Sequence, residues 1–108
     1  MICQRQLVEF QRFSGKIHGL QTEIIAISAD NALEMNKTTR ELGIRYLLIS
    51  DPKKRIIKDF GVLHPREGIA RPATVIIDKS GVVRYVHVGK YPSDRPSVQQ
   101  VMQALAFL

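Results

Sequence analysis

Arg71-Pro72-Ala73-Thr74-Val75-Ile76-Ile77-Asp78-Lys79-Ser80-Gly81-Val82-Val83-Arg84-Tyr85 decides how this chain is read. Residues 73–78 are short, β-branched and almost wholly apolar, which predicts a strand. Lys79-Ser80-Gly81 supplies a turn, and residues 82–88 return as a second strand. Together they predict an antiparallel hairpin. Beyond it, Gly89 to Asp94 leads into a last helix over about 95–107, with Pro96 in its first turn. Val98, Val101, Met102 and Leu105 recur there at helical spacing and predict its apolar face.

Working back from the hairpin, residues 62–71 contain His64-Pro65 and Glu67-Gly68 and predict a loop. Ser50-Asp51-Pro52 predicts a helix start, with Asp51 as cap and Pro52 at the first helical position. Ile56, Ile57 and Phe60 form the inner side of that short helix, and Gly61 closes it. Tyr46-Leu47-Leu48-Ile49 and Glu23-Ile24-Ile25-Ala26-Ile27-Ser28 predict strands, the latter covered on both faces. Between them Asp30-Asn31 caps a helix, and Asn31-x-x-Glu34 resembles a capping box. Ala32, Met35, Thr39 and Leu42 form its predicted inner face, and Gly43 ends it. Leu7, Phe10, Phe13 and Ile17 predict one amphipathic helix over residues 2–18, with Cys3 in its first turn.

The chain of 108 residues suffices for a single domain, 1–108. Its order of elements predicts a layered α/β fold. The first helix has no strand before it, so a βαβ unit begins halfway through. No window approaches the roughly 18 apolar residues of a membrane span. The N-terminus carries no secretory signal pattern, which makes the cytoplasm the expected compartment. The net charge is +6, but the basic residues are scattered and aromatic residues make up only 6%. A solvated surface is therefore expected, with no nucleic acid and no membrane among the partners. The single cysteine, Cys3, forms no intrachain disulfide, and His18, His64 and His87 share no ligand-like spacing, so no metal or other cofactor is expected.

Three segments resemble the alkyl hydroperoxide reductase and thiol-specific antioxidant (peroxiredoxin-like) family of the thioredoxin superfamily: Cys3-Gln4-Arg5-Gln6-Leu7, residues 47–52, and residues 70–85. The resemblance implies a thioredoxin-like three-layer α/β/α sandwich, incomplete at the N-terminus, because no counterpart of the family's first core strand precedes Cys3. Losing a central strand exposes ladder groups on both neighbours. Either the remaining strands pair directly or a homodimer fills the gap.

The resemblance also implies an activity: an antioxidant oxidoreductase that reduces hydroperoxides or disulfides through Cys3, with an external thiol as reductant. The first turn of a helix favours a thiolate through its free N–H groups and macrodipole. Arg71 matches the family's arginine, which lowers the thiol pKa and binds the peroxide oxygens. Pro72 matches the position where thioredoxin-like proteins carry a cis-proline beside the cysteine and the substrate; a trans proline at a strand's first residue fits the sequence equally. The family's threonine, serine or second cysteine, three residues before the reactive one, would fall before Met1. That departure leaves a second function open: a catalytically silent thioredoxin-fold module acting through protein association. Asp30, Asp78 and the Asp94-Arg95-Pro96-Ser97 stretch are read as caps and turns.

Overall fold

The computed structural model describes residues 4–63, 71–91 and 93–108. The chain divides into two compact units, Met1–Ala70 and Arg71–Leu108. The first unit contains α1 (Gln4–Arg12), α2 (Ser14–Gly19), β1 (Ile25–Ser28), α3 (Ala32–Leu42), β2 (Leu47–Ser50) and α4 (Arg55–Asp59). The second contains β3 (Ala73–Ile77), β4 (Val83–Val88) and α5 (Val98–Ala106). The described strands form two separate two-stranded sheets, not one continuous ladder.

The single helix expected over residues 2–18 is two helices that meet at Phe13, where φ is −102° and ψ 8°. The Ser14 hydroxyl donates to the Gln11 carbonyl at 2.8 Å, a local bond that competes with the helical pattern. Gly15 follows at once and weakens helix propensity by roughly 1 kcal/mol relative to alanine. Leu7 and Ile17 still point inward, with 6% and 1% of their surface exposed.

β1 and β2 pair in parallel, with Ile25 opposite Leu47 and Ile27 opposite Ile49. The chain crosses between them through α3. Asn31 caps α3, its side chain accepting from the Glu34 N–H at 2.9 Å. Gly43 ends the helix in the left-handed region at φ 64°, a conformation that a residue with a Cβ resists. Met35 is the buried residue of this helix, whereas Ala32 is exposed and Thr39 and Leu42 are half-buried. The expected cover on both faces of β1 is not found: Ile25 is 55% exposed, and its ladder neighbour Leu47 is 56% exposed. An apolar run shows that a strand forms, not which of its faces is covered.

Asp51 does cap a helix, but from further away than the sequence suggests. Residues 51–54 form a turn, and α4 begins at Arg55. The buried Asp51 carboxylate reaches forward to accept from the Arg55 N–H at 2.9 Å and the Ile57 N–H at 3.0 Å. Helix α1 is tied to the chain entering β2 by two long-range bonds. The Tyr46 hydroxyl donates to the Leu7 carbonyl at 2.7 Å, and the Arg45 N–H donates to Gln11 Oε1 at 2.7 Å.

In the second unit, β3 and β4 form the expected hairpin, with a bulge at Ile76/Ile77. Asp78 builds its turn: Oδ1 accepts from the N–H groups of Ser80 and Val82. Gly81, at φ 84°, completes that turn. Helix α5 starts later than expected. Ser97 is its cap, and Ser97 and Gln100 form a reciprocal capping box, leaving Pro96 outside the helix. Val98, Val101 and Leu105 are its buried residues, and Met102 is half-buried.

Two consequences for stability follow from these bonds. Asp51→Ala leaves the Arg55 and Ile57 N–H groups without their acceptor and is expected to cost about 1–3 kcal/mol in urea unfolding; an unchanged midpoint would refute the capping role. Burial pushes the Tyr46 phenol up to about 12. The folded chain therefore holds this proton more tightly than the unfolded one. The contribution is complete below about pH 10 and fades as the pH rises towards 12, by about 1 kcal/mol once solvent screening of the half-buried ring is allowed for. Tyr46→Phe should lose about 1 kcal/mol at pH 8 and show a shallower decline in stability between about pH 10 and 12. Parallel declines in the two proteins would contradict the assignment.

Candidate active site

The residue before Gln4 is Cys3, which lies outside the described residues, as does His64. What the structure does describe is the helix that follows Cys3. The first turn of α1 contains no acidic side chain. Arg5 supplies a cation there. The amide dipoles and this guanidinium act in the same direction and favour negative charge at the helix start. An open groove of about 490 Å³ runs along α1, lined by Gln4, Arg5, Val8, Glu9, Arg12 and Leu42. The ties from Tyr46 and Arg45 fix α1 along its length, at Leu7 and at Gln11.

Arg71 and Pro72 sit together at the start of the second unit, immediately before β3. Arg71 is exposed and Pro72 is half-buried. No peptide bond among the described residues is cis, so Pro72 is trans and not the cis form that the family resemblance implies, and it stands one residue before β3. Its carbonyl accepts from the Gly89 N–H at 2.7 Å, which extends the pairing of Ala73 with Val88 by one step.

Gly89 is confined. A Cβ at this position would stand 2.6 Å from the Pro72 Cγ and still closer to the Asp94 carbonyl oxygen. Asp94 is not the cap of α5. One of its carboxylate oxygens accepts from the Lys90 N–H at 2.8 Å, and the other lies 3.1 Å from His87 Nε2. The same ring nitrogen lies 3.2 Å from the Asp94 carbonyl oxygen. Both partners are acceptors, so Nε2 carries a hydrogen in this arrangement. The Lys90 N–H holds the Asp94 carboxyl below its usual range; burial opposes this, and the His87 ring adds to the lowering. The sequence marked neither His87 nor Asp94 for this role. The spacing of seven residues matches no motif, and the contact depends on how the chain folds back after β4.

Asp30 and Asp78 serve local structure. The Ser28 hydroxyl donates to Asp30 Oδ2 at 2.9 Å, and the Ser50 hydroxyl donates to the Asp30 carbonyl at 2.6 Å. His18 faces Glu23 at 3.3 Å on the exposed surface. Among the described residues, no cluster of three or more His, Cys, Asp or Glu side chains is arranged to hold a metal ion, and no helix is long and apolar enough to cross a membrane.

Comparison with known proteins bears on the whole arrangement. The chain is 32% identical to the chloroplastic 2-Cys peroxiredoxin of Hordeum vulgare over 99% of its own length and 54% of that protein. It is 31% identical to the mitochondrial thioredoxin-dependent peroxide reductase of Drosophila melanogaster, over 96% of this chain and 47% of that one. The chain thus spans about half the length of the curated relatives it matches. The crystal structure of Enterococcus faecalis AhpC superposes with a TM-score of 0.86 at 22% identity, covering 99% of this chain and 66% of that one. The mitochondrial 2-Cys peroxiredoxin of Plasmodium falciparum superposes with a TM-score of 0.81 at 28% identity, covering 98% and 66%. The fold class is therefore the expected thioredoxin-like α/β one. A profile of the AhpC/TSA family matches residues 1–86, and the chain belongs to that family.

Proposed function

We propose that this chain carries out thiol-dependent reduction of hydroperoxides, with Cys3 as nucleophile, Arg71 as its electrostatic support and Pro72 at the edge of the substrate site. The observation that carries it is the first turn of α1, free of carboxylates and bearing Arg5, directly after the only cysteine of the sequence. The names of the relatives, peroxiredoxin and peroxide reductase, point the same way.

The Cys3 thiolate attacks one peroxide oxygen. An S–O bond forms, the O–O bond breaks, and the leaving alkoxide or hydroxide takes up a proton as alcohol or water. The cysteine is now a sulfenic acid, oxidised by two electrons. A thiol reductant attacks its sulfur, water leaves, and a mixed disulfide forms. A second thiol releases Cys3 and carries away the disulfide. The sequence holds one cysteine, so both reducing thiols come from outside these 108 residues. Arg71 contributes a permanent positive charge that favours the thiolate and the charge developing on the leaving oxygen.

The test is consumption of hydrogen peroxide with dithiothreitol as reductant, comparing the wild-type chain with Cys3→Ser. The expected outcome is complete loss of the protein-dependent rate in the variant. Equal rates would eliminate Cys3 as the nucleophile. A second function, association without catalysis, is supported by the exposed apolar residues Ile25, Ile27 and Leu47 on one face of the β1–β2 sheet. It predicts no peroxide consumption, together with a sedimentation coefficient that rises with concentration.

A further inference from the structure

We propose that His87, Gly89 and Asp94 form a latch that positions Arg71, fixing the chain direction of the Arg71–Pro72 corner as it enters β3. The proposal rests on the role given to Arg71 above and deepens it. None of the three residues touches substrate in this scheme; each acts through the corner.

The geometry is closed on several sides. Pro72 is held from its carbonyl by the Gly89 N–H at 2.7 Å. Its ring lies against the Cα of Gly89, in the space that any Cβ there would claim. The Asp94 carbonyl occupies the other side of the same space. Asp94 is fixed in turn by three bonds: the Lys90 N–H to its carboxylate, and His87 Nε2 to both its carboxylate and its carbonyl. A fourth bond, from the Asp94 N–H to the Tyr91 carbonyl at 2.9 Å, completes the turn. His87 is itself set in the ladder, opposite Thr74. The strand that Arg71 leads into and the loop behind Pro72 are therefore linked through one histidine.

The spacing explains why a glycine is required and why a carboxylate is used. Gly89 has no unusual φ, so its need is one of close approach and not of backbone conformation. A carboxylate at position 94 has two oxygens, which serve Lys90 and His87 at once. A charge-assisted bond of this kind is shorter and stronger than a neutral one. An arginine acts on a thiolate only when it is held at the right distance, and small displacements at reacting centres cost large factors in rate.

The experiment compares Arg71→Met, His87→Ala, His87→Gln and Gly89→Ala on the full chain. Two properties are read: the rate of reaction with hydrogen peroxide, and the pH profile of Cys3 alkylation by iodoacetamide. Thermal melting confirms that each variant is folded. Arg71→Met should slow the peroxide reaction and move the alkylation profile to higher pH. His87→Ala and Gly89→Ala should move the profile in the same direction and slow the reaction roughly three- to tenfold. His87→Gln keeps an amide donor near the position of Nε2 and should restore most of both properties. If Gly89→Ala does not fold, the two His87 variants decide the question. A lower melting temperature in His87→Ala with an unmoved profile, while Arg71→Met moves it, overturns the latch and leaves the role of Arg71 intact. An unmoved profile in Arg71→Met overturns that role and the latch with it.

Discussion

The bond from the Tyr46 hydroxyl to the Leu7 carbonyl joins residues 39 apart in sequence and settles where the first helix lies. Leu7 packing and the Gln11 contact hold α1 to its unit beside it. A helix of nine residues is too short to be stable by itself in water, so its position and its existence depend on such ties. The Tyr46 ring is carried on the segment entering β2, and that strand is registered against β1 through Ile25, Ala26, Ile27 and Ser28. The position of the helix after Cys3 thus follows from the sheet. Electrostatics at the helix start, and any chemistry there, inherit that placement.

The second unit is organised around a different constraint, the close approach at Gly89. The hairpin sets β4 beside β3, and the extra step of pairing to Pro72 brings the chain after β4 back over the corner at residue 72. Side chains then lock what the backbone began. Both units use the same economy: an acidic residue placed a few positions from the N–H groups it satisfies. Asp51 serves Arg55 and Ile57, Asp78 serves Ser80 and Val82, and Asp94 serves Lys90.

What the sequence disclosed follows from how local each interaction is. The cap at Asn31, the left-handed Gly43 and the Asp78 turn lie within a few residues of their partners, and their residue types announce them. The order of strands and helices follows from apolar periodicity. The bend at Phe13 was hidden because the apolar spacing runs through it unchanged, while the Ser14 bond that marks it is an ordinary serine habit. The start of α5 was misplaced because Asp94 and Ser97 are both good caps, and only the fold shows that His87 and Lys90 claim the first. Tyr46 left no trace in the sequence, since its partner is a backbone carbonyl far along the chain. Cys3, Arg71 and Pro72 became legible as a set only through resemblance to a family, because no spacing rule links residue 3 to residue 71.

The open face of the β1–β2 sheet has a consequence for how copies of the chain behave towards one another. Ile25, Ile27 and Leu47 form an apolar strip in contact with water, on a molecule with a net charge of +6. Contact between two such strips is favourable, while approach of two cations is not. The repulsion acts over a screening length that shrinks from about 30 Å at 0.01 M salt to about 3 Å at 1 M. The strip's attraction is short-ranged and is not weakened by salt in this way. Screening of the net charge by salt therefore favours contact through this strip, which consists of three side chains on one face of a four-residue strand and its partner.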